Sequence, residues 1–374
     1  MNEKLRIIIS GGGTGGHIFP AISIANAIKA KYPDASILFV GARGRMEMQR
    51  VPAAGYKIVG LPICGFDRKN MLKNVGVLFR IWQSQRIAAK VIRDFVPMAA
   101  VGVGGYASGP MLNECAKKGI PCLIQEQNSY AGVTNKILGK KADRVCVAYD
   151  GMERFFPADK IIKTGNPVRR SLLDTKLTKA EAAASFGLDA AKKTVLIVGG
   201  SLGARTMNES VMAHLDDIRS SGMQFIWQTG KYYSEEISGR LKGETGLDML
   251  KVTDFISDMG AAYKAADLVV SRAGASSISE FCLIGKPVIL VPSPNVAEDH
   301  QTKNAMALVN KDAAVYISDS DAPARLIKTA VETVADDGRL ASLGANIRKL
   351  AMPDSAERIA DEVVRLARGA RRGR

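Results

Sequence analysis

One arrangement occurs twice in this chain and limits what it can fold into: an apolar run of strand length, a glycine-rich loop, then a helical pattern. Residues 5–9 run into Ser10-Gly-Gly-Gly-Thr-Gly-Gly-His17, and residues 194–198 run into Gly199-Gly-Ser-Leu-Gly-Ala-Arg205. Glycines directly after a strand let the backbone turn tightly and come close to a ligand, while the helix behind them offers unpaired N–H groups. Further apolar runs at 37–40, 99–103, 122–125 and 144–148 alternate with helical patterns at 21–31, 78–95 and 109–118. After the second loop, runs at 224–228, 249–255, 268–271 and 288–291 continue the alternation. Strand–helix alternation predicts an α/β fold with doubly wound parallel sheets, here two Rossmann-like domains. A length of 374 residues, 47% of them hydrophobic, suffices for two cores.

The joint is expected at Lys163-Thr-Gly-Asn-Pro-Val-Arg169, where Asn166 is pushed out of the helical region by Pro167. The expected division is 1–165, 166–352, and a last helix with a basic tail at 353–374. Two such domains facing each other would place a cleft at the carboxyl ends of both sheets, where open α/β sheets bind ligands.

Gly11-x-Gly13-x-x-Gly16 fits a dinucleotide fingerprint, which calls for an acid at the end of the second strand to hold the ribose. Residues 37–40 lead instead into Gly41-Ala-Arg43, which disfavours NAD; Arg43 leaves NADP open. No Lys-Ser or Lys-Thr pair follows the loop, against a Walker phosphate loop. A third glycine segment, Gly102-Val-Gly-Gly-Tyr-Ala-Ser-Gly-Pro110, follows the run at 99–103. Three such loops are more than one dinucleotide needs and suit a sugar nucleotide with a second phosphate-bearing substrate.

The net charge of +15 points to an anionic partner. Five cysteines form no CxxC pair, which argues for free thiols in a reducing compartment. The three histidines, His17, His214 and His300, lack neighbours at ligand spacing, so no metal site is expected. No signal peptide is read at the N-terminus. No apolar segment approaches the roughly 20 residues of a membrane span, so membrane contact is expected to be peripheral.

The ordered motifs resemble the MurG family, UDP-N-acetylglucosamine transferases acting on undecaprenyl-pyrophosphoryl-N-acetylmuramyl pentapeptide (lipid I). They are Gly12-Gly-Thr-Gly-Gly-His17, Gly104-Gly-Tyr-Ala-Ser-Gly-Pro110, Gln125-Glu-Gln-Asn128 and Thr164-Gly-Asn-Pro-Val-Arg169. Gly199-Gly-Ser-Leu-Gly-Ala-Arg205, Arg272-Ala-Gly-Ala-Ser-Ser-Ile-Ser-Glu280 and His300-Gln-x-x-Asn304-Ala complete the series. The resemblance spans residues 5–365, with Leu202 where Gln is common and Ser277 where Thr is usual. It implies the GT-B architecture and a C-terminal helix, at 355–368, crossing back to the first domain.

The resemblance also implies roles. Glu280 holds the donor ribose, and Ala275, Ser276, Ser277, Ile278 and Ser279 present backbone N–H groups to the donor phosphates. Ser201 and Arg169 meet the pyrophosphate, Ile256 holds uracil by its backbone, and Gln301 and Asn304 read the GlcNAc hydroxyls. Thr14, Gly15, Gly16 and Asn128 reach the donor sugar from the first domain. Gly12, Gly13, Gly104, Gly105, Tyr106 and Ser108 suit the acceptor pyrophosphate. Arg205 and Arg272 either join in phosphate binding or support their loops, and His300 orients the donor loop. The family inverts the sugar, which needs one base and a stabilised leaving diphosphate. His17 is the candidate base, the alternative being a histidine that only orders its loop; Glu126 is a second candidate with a structural alternative. The chemistry requires no cofactor, and no Asp-x-Asp ends any strand read above.

A soluble enzyme with a lipid acceptor must reach the bilayer. Lys69-Asn-Met-Leu-Lys-Asn-Val-Gly-Val-Leu-Phe-Arg-Ile-Trp82 has the composition of an interfacial segment, with Leu78, Phe79 and Trp82 as its anchors. The alternative is an ordinary packed helix with a basic surface. The expected location is the cytoplasmic face of the bacterial inner membrane. Expected partners are UDP-GlcNAc, lipid I, the anionic membrane surface and cell-wall synthesis proteins, with no nucleic acid. The rival readings are a UDP-GlcNAc 2-epimerase, a non-catalytic UDP-sugar-binding membrane subunit and, more distantly, an NADP oxidoreductase.

Overall fold

The computed structural model describes residues 4–65, 75–168, 175–200 and 202–369. The chain divides into two compact units, residues 1–168 with 352–374, and residues 169–351.

In the first unit, β1 (Arg6–Ser10), α1 (Gly15–Lys31), β2 (Ser36–Ala42), α2 (Glu47–Ala53) and β3 (Lys57–Leu61) come first. Then follow α3 (Val75–Phe95), β4 (Ala99–Gly102), α4 (Ser108–Lys117), β5 (Cys122–Glu126), α5 (Val133–Gly139), β6 (Arg144–Val147) and β7 (Ile161–Lys163). The sheet has the order β3-β2-β1-β4-β5-β6-β7, every pairing parallel. Its strands are apolar on both faces because helices cover both. Ile7 and Ile9 pack with Ile24, Ile28 and the last helix, while Ile8, one residue out of phase, packs with Met111, Leu112 and Leu138 on the other face. β3 and β7 lie beyond the sequence expectation. They are the edge strands, partly exposed, and lack a continuous apolar run. α1 opens at Gly15, six residues before the expected start, because its first turn is built from two poor helix formers, Gly15 and Gly16.

The second unit holds α6 (Lys179–Ser185), β8 (Thr194–Val198), α7 (Arg205–Ala213), α8 (Leu215–Ser220), β9 (Gln224–Gln228), α9 (Ser234–Arg240) and β10 (Leu250–Thr253). It continues through α10 (Met259–Ala265), β11 (Leu268–Ser271), α11 (Ala275–Ile284), β12 (Val288–Leu290) and α12 (His300–Val309). β13 (Val315–Tyr316), α13 (Ala322–Ala335) and α14 (Asp337–Arg348) complete it. Its parallel sheet runs β10-β9-β8-β11-β12-β13. Phe225 and Trp227 are fully buried, and the Trp227 indole N–H donates to Asn208 Oδ1 at 3.0 Å, so the largest core side chain leaves no polar atom unpaired.

The last helix, α15 (Ser355–Gly369), belongs to the first unit and lies against α1. Ile359, Val363 and Val364 join the Ile7 face of the core, and Lys31 pairs with Asp361 at 2.5 Å. Arg368 covers the Tyr32 ring at 5.0 Å. The 355–368 pattern thus forms a helix whose apolar stripe completes a core begun more than 300 residues earlier.

Candidate active site

Helix starts in this chain fall into two groups. Thr178, Asp258 and Asp336 cap α6, α10 and α14 with side-chain oxygens. α1, α4, α7 and α11, which follow β1, β4, β8 and β11 at the carboxyl edges, have no side-chain cap, as is also true of α2, α5, α8, α9, α12 and α13; the N-cap residues of the four are Thr14, Ala107, Ala204 and Gly274. Their first-turn N–H groups are left for an anion.

On the first unit, the loops after β1 and β4 lie backbone to backbone. A Cβ added at Gly105, where φ is +84°, would overlap the carbonyl oxygen of Gly12. One added at Gly104 would stand 2.8 Å from His17 Nε2. His17 Nδ1 lies 3.2 Å from Gly12 O and 3.2 Å from Thr14 Oγ1. A carbonyl oxygen only accepts, so a bond to Gly12 O needs the proton on Nδ1, whereas the Thr14 hydroxyl can donate or accept. His17 thus ties together both ends of the loop between β1 and α1. Tyr106 is 52% exposed, with its phenol against Gly65. Ser108 is fully buried, and its hydroxyl donates to Gly105 O at 2.9 Å, which commits it to holding the loop.

Glu47 was not singled out by sequence, and it organises the first loop. It is 1% exposed and accepts from Gly13 N at 2.9 Å and from Ala42 N at 2.9 Å. An acid does follow the second strand, five residues past its end, and it turns inward to the glycine loop. The Gly13 N–H is thereby occupied, so an anion at this loop must use the N–H groups from Thr14 onward.

Glu126 is 1% exposed and accepts from Asn128 N (3.0 Å), Asn128 Nδ2 (3.2 Å), Gly132 N (3.0 Å) and Asn135 Nδ2 (2.9 Å). Four donors on one buried carboxylate make it the anchor of the turn after β5 and give Asn128 its position, the structural alternative for this residue. Beside it, Gln125 donates to Asn166 Oδ1 at 2.9 Å, Asn166 donates to Gln127 O, and Gln127 donates to Val103 O. The Gln-Glu-Gln-Asn and Gly-Asn-Pro motifs thus form one buried network behind the β4 loop.

On the second unit, Ala275–Ile284 puts its first turn at the carboxyl edge of β11. Ile278 is buried and its N–H donates to Gly274 O at 3.0 Å, so the helix itself takes this one of the expected phosphate donors, and the Ser279 hydroxyl donates back to Ala275 O at 3.0 Å. The buried Ser276 hydroxyl has no hydrogen-bond partner among the described residues. Glu280 is 6% exposed, and its Oε2 accepts from the Tyr263 phenol at 3.2 Å. Gln301 Oε1 accepts from Ser293 N at 2.9 Å, and Asn304 is fully buried with Nδ2 3.4 Å from Ala273 O. Ile256 is buried.

Arg272 reaches Val291 O, Pro292 O and Asp319, the last at 2.5 Å, and so ties the β11 loop down. Arg205 pairs with Glu209 along α7 at 3.2 Å. The unexpected strand β13 is followed by Asp319-Ser-Asp321, so an Asp-x-Asp does follow a strand. Asp319 is taken by Arg272 and by Thr206 Oγ1 at 2.9 Å. Leu202, in the loop after β8, is 73% exposed. Ser201 and Arg169 lie outside the described residues.

On α3 the buried positions Val77, Ser84, Ala88 and Ile92 form one stripe. On the opposite side Leu78, Phe79 and Trp82 are 60, 63 and 49% exposed. Arg86 covers the Trp82 ring at 4.6 Å. Large apolar side chains in water beside basic groups have the composition of an interfacial face.

Residues 7–147 match the glycosyltransferase family 28 N-terminal domain and residues 194–359 its C-terminal domain. A Phocaeicola vulgatus protein is 68% identical over 98% of this chain and 98% of its own length. It is named UDP-N-acetylglucosamine--N-acetylmuramyl-(pentapeptide) pyrophosphoryl-undecaprenol N-acetylglucosamine transferase. A Porphyromonas gingivalis protein of the same name is 56% identical, covering 98% of this chain and 96% of that one. The crystal structure of Acinetobacter baumannii MurG matches with a TM-score of 0.79 at 27% identity, covering 96% of this chain and 99% of that one. A UDP-N-acetylglucosamine 2-epimerase matches in fold, with a TM-score of 0.66 at 14% identity over 97% of this chain and 96% of that one. With sequence matches across nearly its whole length and this fold, the chain belongs to the MurG family of glycosyltransferases.

Proposed function

We propose that this chain transfers N-acetylglucosamine from UDP-N-acetylglucosamine to the 4-hydroxyl of the muramyl sugar of undecaprenyl-pyrophosphoryl-N-acetylmuramyl pentapeptide. The observation that carries this reading is the 68% identity, end to end, to a transferase of that name. The epimerase reading rests on fold similarity at 14% identity and is not favoured.

His17 Nε2 takes the proton of the acceptor hydroxyl as that oxygen attacks the anomeric carbon. The bond from the anomeric carbon to the donor phosphate breaks, and UDP leaves with the electron pair. In-line displacement inverts the centre, so an α-linked donor gives a β-linked product. The negative charge that grows on the diphosphate is met by uncapped helix N-termini, of which α11 is the assigned one, and by Arg169. Glu280 takes the ribose hydroxyls, Ile256 the uracil, and Gln301 and Asn304 the sugar. Thr14, Gly15, Gly16 and Asn128 meet the sugar from the first unit. Gly12, Gly104 and Gly105 shape the acceptor loop, with Tyr106 at its rim. Purified protein given UDP-N-acetylglucosamine is expected to release UDP only when a lipid I analogue is added. Release or epimerisation without acceptor would contradict the transferase reading.

No helix among the described residues is long and apolar enough to cross a membrane. The face of α3 bearing Leu78, Phe79 and Trp82 is assigned to the cytoplasmic surface of the bilayer, where anionic headgroups add about 1 kcal/mol per nearby Lys or Arg. Replacing all three by serine removes about 4–7 kcal/mol of transferable apolar surface at most. Partitioning onto anionic liposomes in a sedimentation assay is therefore expected to fall at least about 10-fold, with UDP-N-acetylglucosamine affinity unchanged. Unchanged partitioning would remove this face from the docking surface.

A further inference from the structure

The hydrogen bonds of His17 and Glu47 end on one peptide group. Gly12 O accepts from His17 Nδ1 at 3.2 Å, and Gly13 N donates to Glu47 Oε2 at 2.9 Å. That carbonyl and that N–H are the two ends of the Gly12–Gly13 amide. We propose that Glu47 is a positioning residue for the base, acting on His17 through the Gly12–Gly13 peptide. This rests on the transferase reading for the role of His17, and the link itself stands on the geometry.

The arrangement is a carboxylate, a peptide and an imidazole in series. A carboxylate on an amide N–H draws the amide dipole into line and makes its carbonyl a stronger acceptor. The carbonyl then holds the proton on Nδ1, which keeps Nε2 as the base, and favours the imidazolium formed once Nε2 has taken the substrate proton. This is the work of the buried aspartate in a serine-protease triad, with one peptide unit interposed.

Three observations show that the peptide is held for this purpose. Glu47 is 1% exposed, and its other oxygen is fixed by Ala42 N at 2.9 Å, so the carboxylate cannot rotate away. Gly12 has φ +147°, and a Cβ there would overlap the Glu47 carboxylate, so glycine is what lets the acid reach the amide. On the other side Gly105 closes over Gly12 O, which fixes the carbonyl end. The α1 helix bears no acid in its first turn to compete for the imidazole. The β4 loop, whose Gly104 lies against the ring, offers only Tyr106 as a titratable group, and its phenol is turned to Gly65. The other charged groups on packed elements are Arg43, Arg45 and Arg50 around α2, and Glu357 and Arg358 at the start of α15.

The test is nitrogen-15 NMR of the histidine rings, tractable because the chain has three histidines. In the wild-type protein neutral His17 is expected as the Nδ1–H tautomer, and the Gly13 amide proton is expected to shift with the His17 titration. Glu47→Gln keeps the shape and removes the charge. One peptide unit separates the carboxylate from the imidazole, so the His17 midpoint is expected to fall by about 0.5–1 pH unit. The acidic limb of kcat/KM should move down by the same amount, kcat at the plateau should fall about 10-fold, and the KM for UDP-N-acetylglucosamine should stay unchanged. An Nε2–H tautomer, a Gly13 amide blind to the titration, or an unmoved midpoint in folded Glu47→Gln would overturn the link. The wild-type measurements remain decisive if that variant does not fold. Since the NMR arms need no substrate, coupling without sugar transfer supports the link and overturns only the functional reading.

Discussion

His17→Ala is expected to lower turnover by about 10²–10⁴-fold, the usual loss when a positioned acid–base group is removed. The loss should fall on kcat, with donor affinity by calorimetry unchanged. His17 lies on the first unit, and the residues assigned to the nucleotide lie on the second. The structure gives the reason for so large an effect. In the proposed role Nδ1 donates to Gly12 O and Nε2, on the side where the ring meets Gly104, takes the proton. Among the described residues of the first unit, the two buried carboxylates near these loops are already engaged. Glu126 has four N–H donors on its carboxylate, and Glu47 is turned inward with both oxygens engaged. A water that reoccupies the space would accept the proton far less well at neutral pH. Near-normal turnover in His17→Ala would remove the base assignment and leave His17 as a loop-ordering residue.

Gly105→Ala should be nearly as damaging by a different route. At φ +84° an alanine is strained wherever it sits, and here its methyl group would also enter the carbonyl of Gly12. The two loops would have to part by more than an ångström, at a cost of about 2–4 kcal/mol. Parting them moves Gly104 away from Nε2 and pushes on the Gly12 carbonyl that the added methyl meets, so turnover should fall at least about 100-fold even in the fraction that remains folded. Gly109, in the same motif but on α4, is the control: its added Cβ would meet only Thr134 Cγ2 at 3.7 Å. Gly109→Ala should keep or raise the melting temperature, by the helix propensity difference of about 1 kcal/mol at most. Equal effects of the two substitutions in thermal unfolding would contradict the back-to-back packing of the loops.

What the sequence made legible was local. Apolar runs at 5–9 and 194–198 and the glycines behind them are near neighbours along the chain, and their order was enough for the parallel sheets and the loop positions. Three of the four edge strands were not legible: Lys57–Leu61, Ile161–Lys163 and Val315–Tyr316 are short and half covered, so their apolar pattern is broken, whereas the fourth, Leu250–Thr253, was read at 249–255. The ordered motifs named candidate site residues, but the direction of their side chains was not legible. Ser108 and Ser279 turn back on their own loops, and Glu126 turns into its own turn. Glu47 was the larger omission. Its partner Gly13 is 34 residues away, and nothing in the spacing of Arg45-Met-Glu47 announces that a buried carboxylate will close on a glycine loop.

The central claim is the transfer itself, and the product decides it. Purified protein would be given UDP-N-acetylglucosamine labelled in the sugar and a lipid I analogue, and the product examined by mass spectrometry and NMR. The account predicts one N-acetylhexosamine added per acceptor, β-linked to the muramyl 4-oxygen, with one UDP released for each. An α-linked product, a product linked elsewhere, or N-acetylmannosamine formed with the acceptor unchanged would contradict it.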